Sequence, residues 1–262
     1  MKFLGIDLGW SSGASGLCCL SWSAECLHLL DLNRQQTTTD ILNWVDKWAS
    51  PTEAAMIAED APTLIPNTTG MRLPDKLTHQ HFRQYHAGCY PANLGRPFAQ
   101  RTVEFGLSLE ARGFAHAPVI APQQLGRFQI EVYPHPAIVH LFGLNRILKY
   151  KKGTLAERRL ELMKLRQYIL DILPTLTPKL NLSSSSVPLN RSFLPEIPTT
   201  GAAFKAVEDQ LDSLICAYVA AHWWYWGSDR NWVLGDAATG YIVVPAPFGG
   251  ESTPTVAVWQ NE

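Results

Sequence analysis

Lys2 to Trp10 reads KFLGIDLGW, a short apolar run that carries one aspartate, Asp7, and ends in a glycine turn. That is the pattern of a β-strand running into a turn. Two more apolar runs follow, Gly16 to Trp22 and Cys26 to Asp31, separated by the short polar spacers SSGAS and SAE. Spacers of this length and composition join antiparallel neighbours. Thr37 to Ala49 then shows an N-capping threonine or aspartate and an apolar face at Ile41, Leu42, Val45 and Trp48, which predicts a helix. Ala54 to Ala61 (AAMIAEDA) is a buried-type strand, stopped by Pro62. The opening therefore reads β-β-β-α-β.

Further along, Lys76 to Tyr90 and Gly95 to Gly113 predict helices, and Phe128 to Tyr133 a strand ended by Pro134 and Pro136. Short and long helices are expected over Ala137 to Leu144 and Thr154 to Leu173, and a strong one over Phe204 to Trp226. A final hairpin is expected over 231–246. The expected organisation is one α/β domain over 1–262, with 62–126 as an inserted helical and loop region. A long Pro/Ser-rich loop covers 174–202, where five prolines and the run Ser183 to Ser186 fall.

Composition narrows the class. The 262 residues are 46% hydrophobic and 17% charged, with a formal net charge of -1. That balance is the reverse of a disordered chain, and it argues against a polybasic protein that binds nucleic acid by overall charge. The five cysteines are irregularly spaced with no CxxC, which argues against a disulfide framework or a zinc site. Asp7 interrupts the N-terminal apolar run, and Leu214 to Trp226 is too short to span a bilayer, so a cytoplasmic location is expected.

Against so few charges, the placement of the acids is informative. Asp7, Glu59, Asp60 and Glu131 sit in or at the ends of apolar strands, and Asp209 and Asp212 share one face of an apolar helix. Each has an ordinary explanation as a cap, an arginine partner or a solvated position. The stripe beyond Asp212 carries Ser213, Ala217 and Ala220, the small residues that close packing against a sheet requires, so the pair would point at that sheet. Like charges gathered there need a cation, and divalent magnesium or manganese, which take oxygen ligands, are the usual answer.

GIDLGW (5–10), AEDAP (58–62), IEVYPHPA (130–137), YKKG (150–153) and EDQLDSLICAYVA (208–220) occur in the order seen in a bacterial family. The chain resembles the ribonuclease H-like nucleases grouped as domain of unknown function 429, over roughly residues 1–226. The resemblance implies a ribonuclease H-like fold: a five-stranded mixed sheet, three antiparallel strands first, flanked by helices. It implies a nuclease that hydrolyses phosphodiester bonds of DNA or RNA with Mg²⁺ or Mn²⁺, in a two-metal site. Asp7, Asp60 and Asp212 would be the metal ligands, with Asp209 and Glu131 completing the catalytic acids. Strand alternation lets only one of Glu59 and Asp60 face the site, and the family's Ile-Asp-x-Pro pattern favours Asp60. The first turn departs from the family's Asp-Gly-Cys, being Asp7-Leu8-Gly9 here.

Eight basic residues and two acidic ones lie between Arg146 and Arg166, a patch suited to a nucleic-acid backbone or simply a solvated helix face. Lys152, by the family's Lys-Lys-Gly, and Arg158 are the expected substrate contacts. His79, His81 and His86 have no zinc-helix spacing. Two other readings stay open. GIDLGWSSGASG also resembles the phosphate-binding opening of actin-like ATPases and sugar kinases, whose Gly-rich hairpin would present amides from Ser11 to Ser15. The fold could also serve as a non-catalytic scaffold.

Overall fold

A computed structural model describes residues 1–9, 13–182 and 194–247. The three opening strands are β1 (Lys2–Asp7), β2 (Ser15–Ser23) and β3 (Cys26–Gln35), each antiparallel to the next. Ala24 and Glu25 both take positive φ in the β2–β3 turn, at 49° and 59°, as a two-residue hairpin requires. Helix α1 (Thr38–Trp48) is capped by the Thr37 hydroxyl, which accepts from the Asp40 amide. Strand β4 (Ala55–Glu59) then returns parallel to β1.

After β4 come α2 (Leu73–Phe82), α3 (Ala99–Glu110), β5 (Ala115–His116), β6 (Arg127–Glu131) and α4 (Pro134–Leu141). The chain continues through α5 (Leu155–Asp171), β7 (Lys179–Asn181), the long α6 (Gly201–Trp226) and the hairpin β8 (Asn231–Asp236) and β9 (Gly240–Pro245).

The α/β architecture with a mixed sheet is as expected, but the sheet has seven strands, not five, in the order β5-β6-β4-β1-β2-β3-β7. The two additional strands are the short edge segments β5, of two residues, and β7, of three. Segments that short carry no periodicity of their own. Strand β7 also gives structure to part of the expected 174–202 loop, whose residues 183–193, including the serine run, lie outside the described residues. Helices α2 and α4 start earlier than the sequence predicts, because Pro74 and Pro134 sit in their first turns rather than before them, where a missing N–H costs nothing.

Two hydrophobic layers cover the sheet. On one face Phe3, Cys18, Leu20, Met56, Ala58 and Ile130 pack with α4, α5 and α6. On the other, Leu4, Ile6, Leu17, Cys19 and Ile57 pack with α1 and α3. Side chains alternate between these faces along each strand. Asp7 and Asp60 therefore follow Phe3 and Ala58 toward α6, while Glu59 and Glu131, paired in register, turn to the opposite face.

Helix α6 touches the sheet backbone to backbone. A Cβ on Gly5 would lie 1.9 Å from the Ser213 carbonyl oxygen, and one on Gly16 would lie 1.9 Å from that of Asp209. These contacts confirm the small-residue stripe as the sheet-facing side of the helix. Gly16→Ala should push α6 off the sheet and destabilise the protein by about 3 kcal/mol or more, measured by urea unfolding. A near-neutral value would show that the contact has slack.

Candidate active site

The carboxyl ends of β1 and β4 and the first half of α6 meet in one cleft of ≈ 720 Å³, within the size range of small-ligand sites. Asp7 and Asp60 line it from the strand ends, and Asp209 and Lys205 from α6. Asp212 lies beneath them with no exposed surface. The Asp60 amide donates to the Ile6 carbonyl at 2.9 Å, which keeps its segment beside β1.

The structure brings Asp7, Asp60 and Asp212 close enough to act on one another. Burial, and then the neighbouring Asp212, Asp60 and Asp209 charges, hold the Asp7 carboxyl well above the ordinary range, with Lys151 opposing. Burial likewise pushes Asp60 up to about 7, again with Asp212 adding to the rise and Lys151 opposing it. Lys151 is the principal counter-charge. Its ammonium lies 2.8 Å from Asp212 Oδ2, and Asp212, Asp7 and Asp60 all favour its charged form against the cost of burial. The Tyr150 hydroxyl donates to Asp212 Oδ1 at 2.7 Å.

The other expected residues are placed differently. Asp209 is buried and paired with Arg34 Nε at 3.0 Å and Lys205 Nζ at 2.7 Å. Glu131 lines the cleft from the opposite face of the sheet and is gripped by both Arg72 guanidinium nitrogens, at 2.6 and 2.7 Å. Burial carries it to about 7 despite this pairing. Glu59 is buried beyond it, accepting from Thr63 Oγ1 at 3.3 Å, so it does not face the site that Asp60 faces. Arg158 ties α5 to its surroundings: Nε donates to the Tyr150 carbonyl at 2.8 Å and Nη2 to Glu208 at 2.9 Å. Lys152 is exposed at the rim of the cleft.

Three participants were not singled out from the sequence: Lys151, Tyr150 and Arg72. The first two lie in the YKKG motif, where Tyr150 is the aromatic that burial would select. Arg72 reaches Glu131 across 59 positions, and no local pattern signals that.

The three carboxylates match a hard divalent ion in donor chemistry, all oxygen with no thiol or imidazole, and burial beside other acids holds Asp7 and Asp60 above the ordinary carboxylate range. Their spacing is not that of a closed ligand set: among the described residues no three His, Cys, Asp or Glu side chains are grouped so as to hold an ion. The histidines are dispersed too, His79 bonding the Cys89 carbonyl and His81 resting against Trp232. Of the Gly-rich first turn, Trp10 to Ser12 lie outside the described residues, and the Gly9 amide donates to Ser15 Oγ at 3.0 Å. Among the described residues no helix is long and apolar enough to cross a membrane.

The chain belongs to DUF429. This family of proteins of unknown function matches over residues 5–237. No curated protein matches the sequence. Among solved structures, the chain is similar to that of Thermus thermophilus RuvC, at 13% identity and a TM-score of 0.31, with 84% of this chain and 98% of that one covered.

The Asp60 carboxyl has a stability consequence. Its folded value, about 7, lies above its ordinary 3.8, so the folded state keeps a proton that the unfolded state releases. Folding therefore loses stability as the pH rises from about 4 to about 7. In chelator, Asp60→Asn is expected to melt higher than wild type at pH 7.5, with the gain vanishing at pH 4. A gain that is independent of pH would overturn this account.

Proposed function

We propose that this DUF429 protein is a divalent-metal-dependent nuclease that hydrolyses phosphodiester bonds at the Asp7, Asp60 and Asp212 cluster. The observation that carries the reading is the meeting of Asp7 from β1 and Asp60 from the end of β4 at one cleft, over a buried Asp212 of α6 whose charge acts on both. The mixed sheet that opens with three antiparallel strands also supports it, that opening being what the ribonuclease H-like resemblance implies.

Asp7, Asp60 and Asp212 would hold Mg²⁺ or Mn²⁺. When bound, such ions supply Lewis acidity and an activated water for attack on phosphorus. The chain's own residues do the rest. Tyr150 fixes the Asp212 carboxylate by its hydrogen bond to Oδ1. The Arg34 and Lys205 pairs hold Asp209 as a charged wall of the cleft rather than a free base. Lys151 keeps the cluster from repelling itself, and its ammonium is placed to meet a phosphate oxygen once it is released from Asp212. The Arg72 fork keeps Glu131 at the cleft edge, where the Asp60 charge acts on it.

A nuclease assay on single-stranded, duplex and branched DNA and on RNA, with Mg²⁺ or Mn²⁺, tests the reading. Asp7→Asn and Asp212→Asn should each lower cleavage on the order of 100-fold or more, and chelator should abolish it. Activity that survives both substitutions would refute the mechanism. Because Lys151 and a divalent ion neutralise the same acids, Lys151→Met should melt lower than wild type in chelator and gain more from added Mn²⁺. Equal Mn²⁺ shifts in the two proteins would show that the lysine and the ion do not compete.

A further inference from the structure

A second cleft opens off the first, and where the first mixes acids with cations the second carries cations without acids. The two meet along Tyr133, His135, Lys151 and Lys152. The second cleft, of ≈ 630 Å³, is lined by four cations, Arg83, Lys149, Lys151 and Lys152, with no carboxylate among its lining residues. One side comes from the turn after α2 and the other from the loop before α5.

The basic run between Arg146 and Arg166 divides accordingly. Arg158 pairs with Glu208, Lys164 with Glu161 and Arg166 with Glu196, so those charges are spent within the fold. Among the described residues, Arg83, Lys149 and Lys152 make no ion pair with a carboxylate, and all three are exposed. Unneutralised cations held on two sides of a groove that leads into an acidic pocket are suited to a run of phosphates. Burial holds His135, at the junction, down to about 3, so it presents a neutral ring there. The ring of Tyr90, 56% exposed, stands at the wall of the first cleft with the Arg96 guanidinium over one face at 4.9 Å and Phe98 at its edge, and Tyr133 lines both clefts.

We infer that this basic cleft is the entry track for one single strand of nucleic acid. Arg83, Lys149 and Lys152 hold successive phosphates, and the Tyr90 and Tyr133 rings offer stacking surfaces to bases as the strand descends to the carboxylates. This rests on the nuclease reading for what happens at the strand's end, but not for binding itself. A single strand is favoured over a duplex by burial of the acids: Asp7 and Asp60 are half-buried at the strand ends and Asp212 beneath them is fully buried, so a phosphate must enter the cleft to reach them. Sequence-tolerant aromatic stacking also requires unpaired bases.

Binding is measured by fluorescence anisotropy on the full chain in chelator, so that no cleavage occurs. The probes are a labelled DNA strand, its RNA equivalent and the corresponding DNA duplex. The strands should bind about ten-fold tighter than the duplex or more. The triple substitution Arg83→Gln, Lys149→Gln and Lys152→Gln should weaken strand binding by about ten-fold or more. It should also reduce the slope of log affinity against log salt by about 2, since each phosphate contact on a single strand contributes about 0.7. Tyr90→Ala should cost about five-fold or more for strands. Near-wild-type circular dichroism and melting of the variants exclude misfolding.

Duplex bound as tightly as strand, no binding of any probe at low salt, or a triple variant with wild-type affinity and salt slope would each overturn the track. If strands bind through these residues but no metal supports cleavage, the track stands and the nuclease reading falls. If the protein cleaves and the triple variant keeps its KM, the reverse holds.

Discussion

Everything at the candidate site depends on how closely α6 lies against the sheet. A typical helix rests on a layer of side chains, but here Gly5 and Gly16 remove that layer, and the helix backbone at Asp209 and Ser213 takes its place. A short side chain such as aspartate reaches across only a few ångströms. With the helix lifted by one methyl layer, Asp209 and Asp212 would no longer act on Asp7, and the strand acids would face packing atoms. The two glycines thus set the distance at which carboxylates from segments some 200 positions apart become one electrostatic unit.

Among the described residues, Lys151 pairs with Asp212, and burial and the neighbouring acids hold Asp7 and Asp60 toward their protonated forms. The contrast with Glu131 is instructive. It is as deeply placed, yet the Arg72 fork, shared with Asp75, makes it part of a compact buried network. Buried acids that fulfil a structural role acquire such partners. Among the described residues, Asp7 and Asp60 on the α6 face have no arginine fork of this kind.

Much of this was legible in the sequence, for reasons that can be named. An aspartate inside a short apolar strand, and a pair on the small-residue side of an apolar helix, signal costly burial, which marks Asp7, Glu59, Asp60, Glu131, Asp209 and Asp212 as candidates; the set Asp7, Asp60 and Asp212 comes from the family resemblance. Alternation says that only one of Glu59 and Asp60 faces the site, and the resemblance to the family's Ile-Asp-x-Pro pattern, not alternation, favours Asp60. The same reasoning grouped Glu131 with them because its sequence signal is identical; what distinguishes it is the register pairing with Glu59 and an arginine 59 positions away. In the Tyr-Lys-Lys-Gly turn, adjacent lysines look alike in sequence, and only the fold directs Lys151 inward and Lys152 to the rim. The edge strands β5 and β7 were invisible because two or three residues cannot show a period. The basic run was read whole, whereas its charges divide by their partners.

The site's components differ in how freely the chain can vary. Asp7, Asp60 and Asp212 stand on the central strands and the helix packed against them, where any change in length would disturb the register of the whole sheet. The cleft walls come from the segment between β4 and β6 and from the loop before α5, connections that can lengthen, shorten or change charge while the acids stay put. Related chains can therefore keep one acidic cluster and vary the shape and charge of the cleft above it, with the variation confined to connections where it costs folding little.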